Sequence, residues 1–287
     1  MSRIAYVNGR YVPHADAAVH VEDRGYQFAD GVYEVCEVLG GQMVDVTRHL
    51  ARLGRSLSEL SIASPMSDAA MRQIMREVVR RNRVRDGMIY IQVTRGVARR
   101  DHAFPEDEVA PAVVMTARST DAAKADRAAA AGVGVITVPE NRWDRVDIKT
   151  VGLLPNVLAK QLAKEQGARE AWFVTPDGMV TEGSSTNAWI VTADGRLVTR
   201  QASHGILRGI TREVVCDIAA RDGIPLEERS FTVAEAKAAR EAFITAATTL
   251  VMPVVRIDGS DVGDGKPGPL SLALRRHFHE MAELVAV

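Results

Sequence analysis

The sequence has little of what would mark a secreted, metal-binding, membrane or nucleic-acid-binding protein. Its only two cysteines, Cys36 and Cys216, form no closely spaced pair, so we expect buried thiols in a reducing compartment and no disulfide or metal site. The net charge of −1 gives no reason to expect nucleic acid or a membrane as a partner. No apolar run approaches transmembrane length, and residues 1–6 look like a strand start and not a signal peptide, which predicts a cytoplasmic protein.

The sequence also lacks internal repeats, regular βαβ alternation and a GxGxxG motif, which argues against a dinucleotide-binding fold. Its 287 residues, 46% of them hydrophobic, are enough for two modest domains. Residues 119–127 are polar and alanine-rich without an apolar period, as expected of an interdomain linker. We therefore predict a small N-terminal α/β domain over residues 1–118 and a large C-terminal domain over residues 128–287, both with mixed sheets.

Apolar periodicity predicts the elements of both domains. In the N-terminal part we expect a helix from about Thr47, as its N-cap, to Ser61, and a second helix after Ser67. A hairpin is expected within residues 4–13. The remaining predicted strands cover residues 88–94, 111–117, 132–139 and 242–257, and the remaining predicted helices cover residues 154–167, 209–222 and 268–287.

Lysine is scarce, with 6 lysines against 30 arginines, so a lysine in a short apolar stretch is informative. Lys149 lies in such a stretch, DIKT at residues 147–150. A desolvated lysine can lose its proton and form a Schiff base, whereas an arginine cannot. The alternative is that Lys149 is a surface residue beside a strand.

A carboxylate followed by small hydroxyl residues occurs at Glu182, in the segment TEGSSTN of residues 181–187. A carboxylate that faces a pyridinium nitrogen is the usual electronic partner of pyridoxal phosphate, because it keeps the ring nitrogen protonated. A strand end followed by a Ser/Thr turn is the simpler interpretation of this segment.

Two turns of small residues have the character of phosphate-binding sites. Gly209 precedes a predicted helix, and the free amides of Ile210 and Thr211 in its first turn, with the helix dipole, would bind phosphate. Residues 245–249 offer a second such turn. Each feature alone also fits an ordinary helix start or turn.

Several motifs occur together and in order between about residue 4 and about residue 260: DRG (23–25), DGVYE (30–34), DIK (147–149), VTEGSSTN (180–187) and LRGITR (207–212). With these motifs the chain resembles the class IV, or fold type IV, pyridoxal-phosphate aminotransferases. The resemblance implies a fold of two α/β domains with mixed sheets and the cofactor, pyridoxal 5'-phosphate, at their interface. It implies that Lys149, in the C-terminal domain, is the catalytic residue and holds the cofactor, and that Glu182 faces the ring nitrogen.

A second set of motifs narrows the resemblance: EDRGYQF (22–28), GVYEV (31–35), QVTRG (92–96), RDH (100–102) and FPE (104–106). Within the class, these segments look like the D-amino-acid transaminases. That likeness implies that Arg100, His102 and Tyr33 bind the substrate α-carboxylate. It also implies a homodimer in which Arg100 and His102 come from the partner subunit. Without the resemblance, Arg99, Arg100 and His102 would be a solvated charged loop.

The resemblance also assigns further cofactor contacts. Arg52 would bind the phosphate, although a solvated helix face is its simpler interpretation, and Leu207 would pack against the ring. The phosphate turn maps to Ala247 and Thr248. Here the sequence departs from the family, because Ala247 replaces a usual threonine and Leu250 a common acidic residue, so a neighbouring threonine hydroxyl would have to compensate.

The expected reaction is transamination between a D-amino acid such as D-alanine and a 2-oxo acid such as 2-oxoglutarate, giving pyruvate and D-glutamate. The alternatives on the same fold are a branched-chain L-amino-acid transaminase, an (R)-amine transaminase and an aminodeoxychorismate lyase. The Arg100-x-His102 pair favours the D-amino-acid enzyme over these. A cofactor-free binding protein on this fold is the alternative from another class, and the presence of both Lys149 and Glu182 argues against it.

Overall fold

A computed structural model describes residues 3–286, so the predicted strand start at residues 1–2 and the predicted helix end at residue 287 lie outside the described residues. The strands are β1 (Ile4–Val7), β2 (Arg10–Pro13), β3 (Gly31–Leu39), β4 (Gln42–Val44), β5 (Gly87–Thr94), β6 (Ala112–Ser119), β7 (Val133–Pro139), β8 (Glu170–Val174), β9 (Val180–Gly183), β10 (Asn187–Val191), β11 (Leu197–Thr199), β12 (Leu226–Glu228), β13 (Glu241–Ala246), β14 (Leu250–Ile257), β15 (Ser260–Asp261) and β16 (Leu284–Ala286). The helices are α1 (Arg24–Phe28), α2 (Val46–Glu59), α3 (Asp68–Arg81), α4 (Ala122–Ala131), α5 (Leu154–Glu165), α6 (Ile210–Arg221), α7 (Val233–Ala238) and α8 (Pro269–Met281).

The chain divides into two compact units. Of the described residues, the first unit contains 3–122, 148–152 and 283–286, and the second contains 123–147 and 153–282. The predicted domains differ from these units, because the segment that carries Lys149 and the C-terminal strand both belong to the first unit. Both segments join that unit by backbone pairing with residues far away in the sequence, which local patterns do not show.

The first unit is built on an antiparallel sheet in the order β16-β4-β3-β5-β6-β1-β2. Alternate residues of β3 and β5 are buried, as the period of a half-buried strand requires, and they include Cys36, Ile89 and Ile91. Helices α2 and α3 supply the apolar stripe that packs in the same core, with Leu53 and Met75 among its members. The hairpin predicted within residues 4–13 is confirmed.

The start of α2 depends on residues that a local sequence pattern does not include. Thr47 was predicted as the N-cap, and this was wrong: the N-cap is Asp45, in the left-handed region with φ 51°. The backbone amide and hydroxyl of Thr47 instead donate to the carboxylate of Glu283, at 2.9 and 2.6 Å. At α3 the prediction was right, and Ser67 accepts a hydrogen bond from the Ala70 amide.

The second unit is built on a mixed sheet in the order β12-β11-β10-β13-β14-β7-β8-β9, with β15 paired to β14. The pairs β11–β12, β7–β14 and β7–β8 are parallel, and the other pairs are antiparallel. Its core contains Trp172, Phe231 and Met252. The predicted mixed sheet is therefore present here, whereas the sheet of the first unit is entirely antiparallel.

Three predicted elements of the C-terminal part differ from the structure. The supposed linker 119–127 is helical from Ala122, because its alanines favour a helix even without an apolar stripe. The strand region 242–257 is a hairpin, β13 and β14, which turns at residues 247–249. The last helix ends at Met281, after which β16 pairs with β4.

Candidate active site

Lys149 is held in the first unit by backbone pairing with β3. Its carbonyl accepts a hydrogen bond from the Tyr33 amide at 3.0 Å, and Thr150 forms an antiparallel bridge with Val32. Its own amide donates to the Ser56 hydroxyl at 3.4 Å. The prediction that Lys149 belongs to the C-terminal domain is therefore corrected, because β3 fixes this segment in the first unit.

The structure brings two predicted site residues, Lys149 and Tyr33, into contact. The Lys149 Nζ lies 4.1 Å from the centre of the Tyr33 ring, within the range of a cation–π interaction. The Tyr90 ring stacks on the Tyr33 ring, with the two ring centres 5.6 Å apart. Burial raises the pKa of Tyr90 to about 12, so its phenol stays neutral near neutral pH. The lysine amine thus rests on a stack of two aromatic rings.

Arg52 is not on a solvated helix face, because it is buried in an ion pair. Its Nε and Nη2 donate to the two carboxylate oxygens of Glu34 at 2.7 and 2.9 Å. The Nδ1 of His49 lies 2.7 Å from the same carboxylate. Burial opposes the ionisation of Glu34, but Arg52 and His49 outweigh it and hold the pKa of Glu34 well below its usual range. Glu34 therefore fixes the position of the Arg52 guanidinium.

Arg100 and His102 lie in the exposed connection between β5 and β6. The Arg100 guanidinium lies 5.1 Å from the centre of the Phe28 ring, and the His102 ring lies 5.5 Å from it. Within residues 3–286, no hydrogen bond, ion pair or ring contact joins either side chain to Tyr33 or Lys149. The structure therefore brings together Arg100 and His102, and separately Tyr33 and Lys149.

In the second unit, Glu182 is 5% exposed at the end of β9 and is surrounded by hydrogen-bond donors. Its Oε1 accepts from Arg142 Nη1 at 2.6 Å. Its Oε2 accepts from the Asn187 side-chain amide at 3.0 Å and from the Leu207 backbone amide at 3.1 Å. These contacts fix both oxygens of the carboxylate and place Leu207 beside it.

The charges around Glu182 do not balance. Arg142 also binds Glu140 through Nε and Nη2, at 2.9 and 2.6 Å, so this cluster has two carboxylates and one guanidinium. Burial raises the pKa of Glu182 to about 7, although the nearby Arg142 works in the opposite direction. The cluster therefore has room for one more positive charge at Glu182.

The first turn of α6 begins as predicted. Gly209, its N-cap, has no side chain to cap the helix, so the amides of Ile210 and Thr211 are left uncapped by it. A Cβ at this glycine would lie 2.1 Å from the Asn187 side-chain oxygen, which explains why glycine is needed here. The Asn187 amide donates to the Leu207 carbonyl at 2.8 Å, so one side chain links Glu182 to the approach to α6.

The second predicted phosphate turn joins β13 to β14. Ala247 is half-buried and Thr248 is exposed. The hydroxyl of Thr249 is buried without a hydrogen-bond partner among the described residues. Leu250 adopts a left-handed conformation with φ 54°, which few non-glycine residues adopt. Arg275 of α8 donates to the carbonyls of Thr249 and Val251, at 2.7 and 2.9 Å, and so holds the turn.

Sequence reasoning missed two residues of the second unit that hold the segment 181–187 in place. Arg142 is one of 30 arginines and lies in no motif, so no signal distinguished it. Glu170 is fully buried at the start of β8, where it accepts hydrogen bonds from Ser184 and, at 2.8 Å, from Ser185. Lys160 Nζ lies 3.1 Å from its carboxylate. A carboxylate that opens an otherwise apolar strand was the available signal for Glu170.

Two kinds of feature are absent from the part of the chain that the structure describes. No group of three or more His, Cys, Asp or Glu side chains is arranged to hold a metal ion. None of the helices combines the length and the apolar character that crossing a membrane requires.

Comparison with known proteins identifies the family. A model of the class IV aminotransferases matches residues 31–257. The D-alanine aminotransferase of Listeria monocytogenes serotype 1/2a is 40% identical over 275 residues, which are 96% of this chain and 94% of that protein. The D-alanine aminotransferase of Staphylococcus haemolyticus is 40% identical over 279 residues, or 97% of each chain.

Solved structures confirm the fold. The branched-chain amino acid aminotransferase of Escherichia coli superposes with a TM-score of 0.90 at 23% identity, covering 98% of this chain and 95% of that one. The branched-chain aminotransferase of Thermoproteus uzoniensis, solved with norvaline, gives 0.85 at 26% identity and covers 99% of each chain. The predicted mixed α/β fold of type IV is thus confirmed. From the family match and the 40% identity over nearly the whole chain, we conclude that this protein belongs to the class IV aminotransferases, a family of pyridoxal-phosphate-dependent enzymes.

Proposed function

We propose that this protein transfers the amino group of a D-amino acid such as D-alanine to a 2-oxo acid such as 2-oxoglutarate, with pyruvate and D-glutamate as products. The observation that carries this proposal is the Arg100–His102 pair on one aromatic ring. A guanidinium fork and an imidazole suit an α-carboxylate. The 40% identity to proteins named D-alanine aminotransferase supports the same substrate class.

The charges in the second unit fit pyridoxal 5'-phosphate. Glu140 and Glu182 share one guanidinium, Arg142, so one positive charge is missing. A protonated pyridine nitrogen at Glu182 would supply that charge, and it would lower the pKa of the carboxyl from its raised value. Glu182 is therefore the residue that we assign to the ring nitrogen, with Leu207 packed against the ring.

We assign the cofactor phosphate to three sets of donors. Arg52 is a buried guanidinium whose position is set by an ion pair, and the first-turn amides of Ile210 and Thr211 lie at the positive end of α6. The turn at Ala247 and Thr248 completes this set with its backbone amides. Because Ala247 lacks a hydroxyl, the buried hydroxyl of Thr249, which has no hydrogen-bond partner among the described residues, is the candidate to compensate.

The roles of the protein's own groups follow from their chemistry. When bound, pyridoxal phosphate withdraws electrons from the substrate Cα and carries the amino group between the two half-reactions. Lys149 holds the cofactor and, as a free amine, moves the proton at the substrate Cα. Glu182 keeps the proton on the ring nitrogen. Arg100, His102 and Tyr33 bind the substrate carboxylate and so decide which enantiomer presents its Cα proton to the lysine.

A homodimer is part of this proposal. Four apolar residues of α5 are between 41% and 69% exposed and recur at helical spacing, Leu154, Val157, Leu158 and Leu162. An exposed apolar stripe of this kind is typical of a subunit interface. Arg100 and His102 would then serve the partner's Lys149. Mixing Arg100→Ala subunits, which should have a raised KM, with inactive Lys149→Ala subunits tests this, since hybrid dimers should regain the wild-type KM at one site. No regain after subunit exchange would contradict the sharing of the site.

We also propose that the protein is cytoplasmic. The two cysteines are free thiols, and Cys36 is buried, as expected in a reducing compartment. Fractionation of cells that make the protein, with detection by antibody, tests the location. The remaining expected partners are small molecules, namely amino acids and 2-oxo acids.

The decisive experiment is a half-reaction. The purified protein is loaded with pyridoxal phosphate, and its absorbance band is followed after addition of D-alanine or L-leucine without any oxo acid. Loss of the band with D-alanine alone supports the proposal. Loss with L-leucine alone would assign the protein to the L-amino-acid enzymes, and no band at all would contradict the cofactor assignment. Lys149→Ala should lose turnover, whereas Lys124→Ala, which removes an exposed lysine, should keep it.

A further inference from the structure

Phe28, the last residue of α1, is the ring on which three basic side chains meet. The guanidinium of Arg100 lies 5.1 Å from the ring centre, and that of Arg24 lies 4.9 Å from it. The imidazole of His102 packs on the same ring, with centroids 5.5 Å apart and an angle of 52° between the planes. The side chains of Arg100 and His102 are both exposed, and their shared contact with this ring restricts their rotamers.

The backbone beneath the two side chains is fixed by Arg24. This arginine is 3% exposed and pairs with Asp30, Nε to Oδ2, at 2.8 Å. Its Nη1 donates to the Asp101 carbonyl at 2.6 Å, and its Nη2 donates to the His102 carbonyl at 3.4 Å. A buried, always charged side chain thus holds the backbone of the exposed loop at His102 and at Asp101, the residue after Arg100.

A second arginine fixes the loop on its far side. Arg95 binds both oxygens of Asp30, at 2.7 and 3.0 Å, and donates to the carbonyls of Leu60 and Ser61 at 2.7 and 3.0 Å. Its guanidinium lies 3.7 Å from the centre of the Phe104 ring. The loop is therefore held on both sides of His102 by two arginines that share one carboxylate.

The position of Phe28 is itself determined by close packing. Asp23 caps α1 by accepting from the Gly25 amide at 2.8 Å, and it also accepts from the Thr94 hydroxyl at 3.0 Å. A Cβ at Gly25 would lie 2.2 Å from the Thr94 methyl group, so only glycine lets the helix lie this close to β5. Ala29 then ends the helix in the left-handed region, with φ 56°. Residues 22–28 thus hold the Phe28 ring in a fixed position.

We propose that Phe28 is a positioning residue that determines substrate specificity, because it holds Arg100 and His102 in the orientation that receives the substrate α-carboxylate. This inference rests on the proposed D-amino-acid transamination. Phe28 acts through the two side chains and touches neither substrate nor cofactor. A loss of orientation of about 1 Å can cost about 100-fold in rate or binding, whereas the chemistry at Lys149 does not depend on the ring.

Steady-state kinetics of the cofactor-loaded enzyme test this. Phe28→Ala should raise KM for D-alanine and for 2-oxoglutarate by about tenfold or more, with kcat within about threefold of the wild type, since uniform substrate binding is lost. The preference for D- over L-alanine should fall. Phe28→Tyr keeps the ring and should keep the wild-type KM. Tyr26→Ala removes an exposed ring from the same helix and is the matched control, with unchanged kinetics expected.

A triple mutant separates positioning from general damage. In a background that carries both Arg100→Ala and His102→Ala, Phe28→Ala should change KM by no more than about twofold, because both side chains that it positions are already gone. If Phe28→Ala does not fold, Phe28→Leu keeps an apolar side chain without the ring face and should show the same rise in KM. The absorbance band of the bound cofactor should be unchanged in all variants.

The outcomes also distinguish this inference from the proposed function. A wild-type enzyme that does not react with D-alanine overturns the proposed function and this inference with it. An active wild-type enzyme whose Phe28→Ala and Phe28→Leu variants keep the wild-type KM and D-preference overturns this inference alone. A fall in kcat together with a changed cofactor band would also overturn it, because the ring would then support the cofactor site.

Discussion

Replacing Glu182 by glutamine removes the buried one of two carboxylates that share the Arg142 guanidinium. In the cofactor-free protein nothing else among the described residues compensates the second negative charge, and burial raises the pKa of Glu182 to about 7. A carboxyl group with a raised pKa in the folded state destabilises that state once it ionises. We therefore expect the cofactor-free Glu182→Gln protein to be more stable than the wild type at alkaline pH, and nearly equal to it in acid.

The magnitude follows from the two pKa values of the group. The pKa is about 7 in the folded protein against an ordinary value of 4.5, so between these pH values the folded state binds more protons than the unfolded state. The free energy of unfolding of the wild type therefore falls as the pH rises through this window, by about 2.5 kcal/mol between about pH 5 and about pH 8. The glutamine variant lacks this dependence.

Urea unfolding of both cofactor-free proteins at about pH 5, 6, 7 and 8 measures the effect. The difference between the two proteins removes the contribution of every other titrating group. A difference that stays constant with pH, or that favours the wild type more as the pH rises, would refute the charge imbalance. Loading the wild type with pyridoxal phosphate should remove most of the pH dependence, because a protonated ring nitrogen supplies the missing positive charge.

Two further substitutions test the other buried contacts. Glu34→Gln leaves the buried Arg52 without its negative partner and should lower the free energy of unfolding by about 3–5 kcal/mol and weaken binding of pyridoxal phosphate, measured by urea unfolding and by titration. Gly183→Ala places a Cβ 2.1 Å from the Thr186 hydroxyl and should destabilise by about 1–3 kcal/mol. Gly54→Ala is the matched control, since no atom lies within 4 Å of its added Cβ and alanine favours the helix by about 0.5–1 kcal/mol.

Local patterns were sufficient where the structure is local. The start of α3 directly after Ser67 depends on residues within one helix, and it was predicted correctly. The cap of α2 was not, because the carboxylate of Glu283 serves the Thr47 amide across 236 residues of sequence. The position of the segment that carries Lys149 also depends on a distant partner, since this segment pairs with the backbone of β3. Such long-range partners leave no periodic signal.

The residues of the candidate site also fall into two groups, those that residue type indicates and those that it does not. Lys149 and Glu182 were proposed as site residues because their residue types stand out in their neighbourhoods, a rare lysine and a carboxylate before small hydroxyl residues. Arg142 supplies the positive charge beside Glu182. Arginine is, however, the commonest basic residue of this chain, so its residue type gives no signal. Its role depends on distance and burial alone. The roles of the site residues beyond these contacts stay predictions until the kinetics are measured.

Two buried glutamates show why residue type alone does not fix the chemistry of such a site. Glu34 and Glu182 both bind an arginine at 2.6–2.7 Å, and burial opposes the ionisation of both. The Glu34 carboxylate is bound by Arg52 and a histidine, so the pKa of Glu34 falls and its negative charge is balanced within the protein. Around Glu182 one guanidinium serves two carboxylates, so its pKa rises and one positive charge is missing. The first arrangement fixes a side chain, whereas the second is the one to which we assign a further positive charge, that of the protonated cofactor ring.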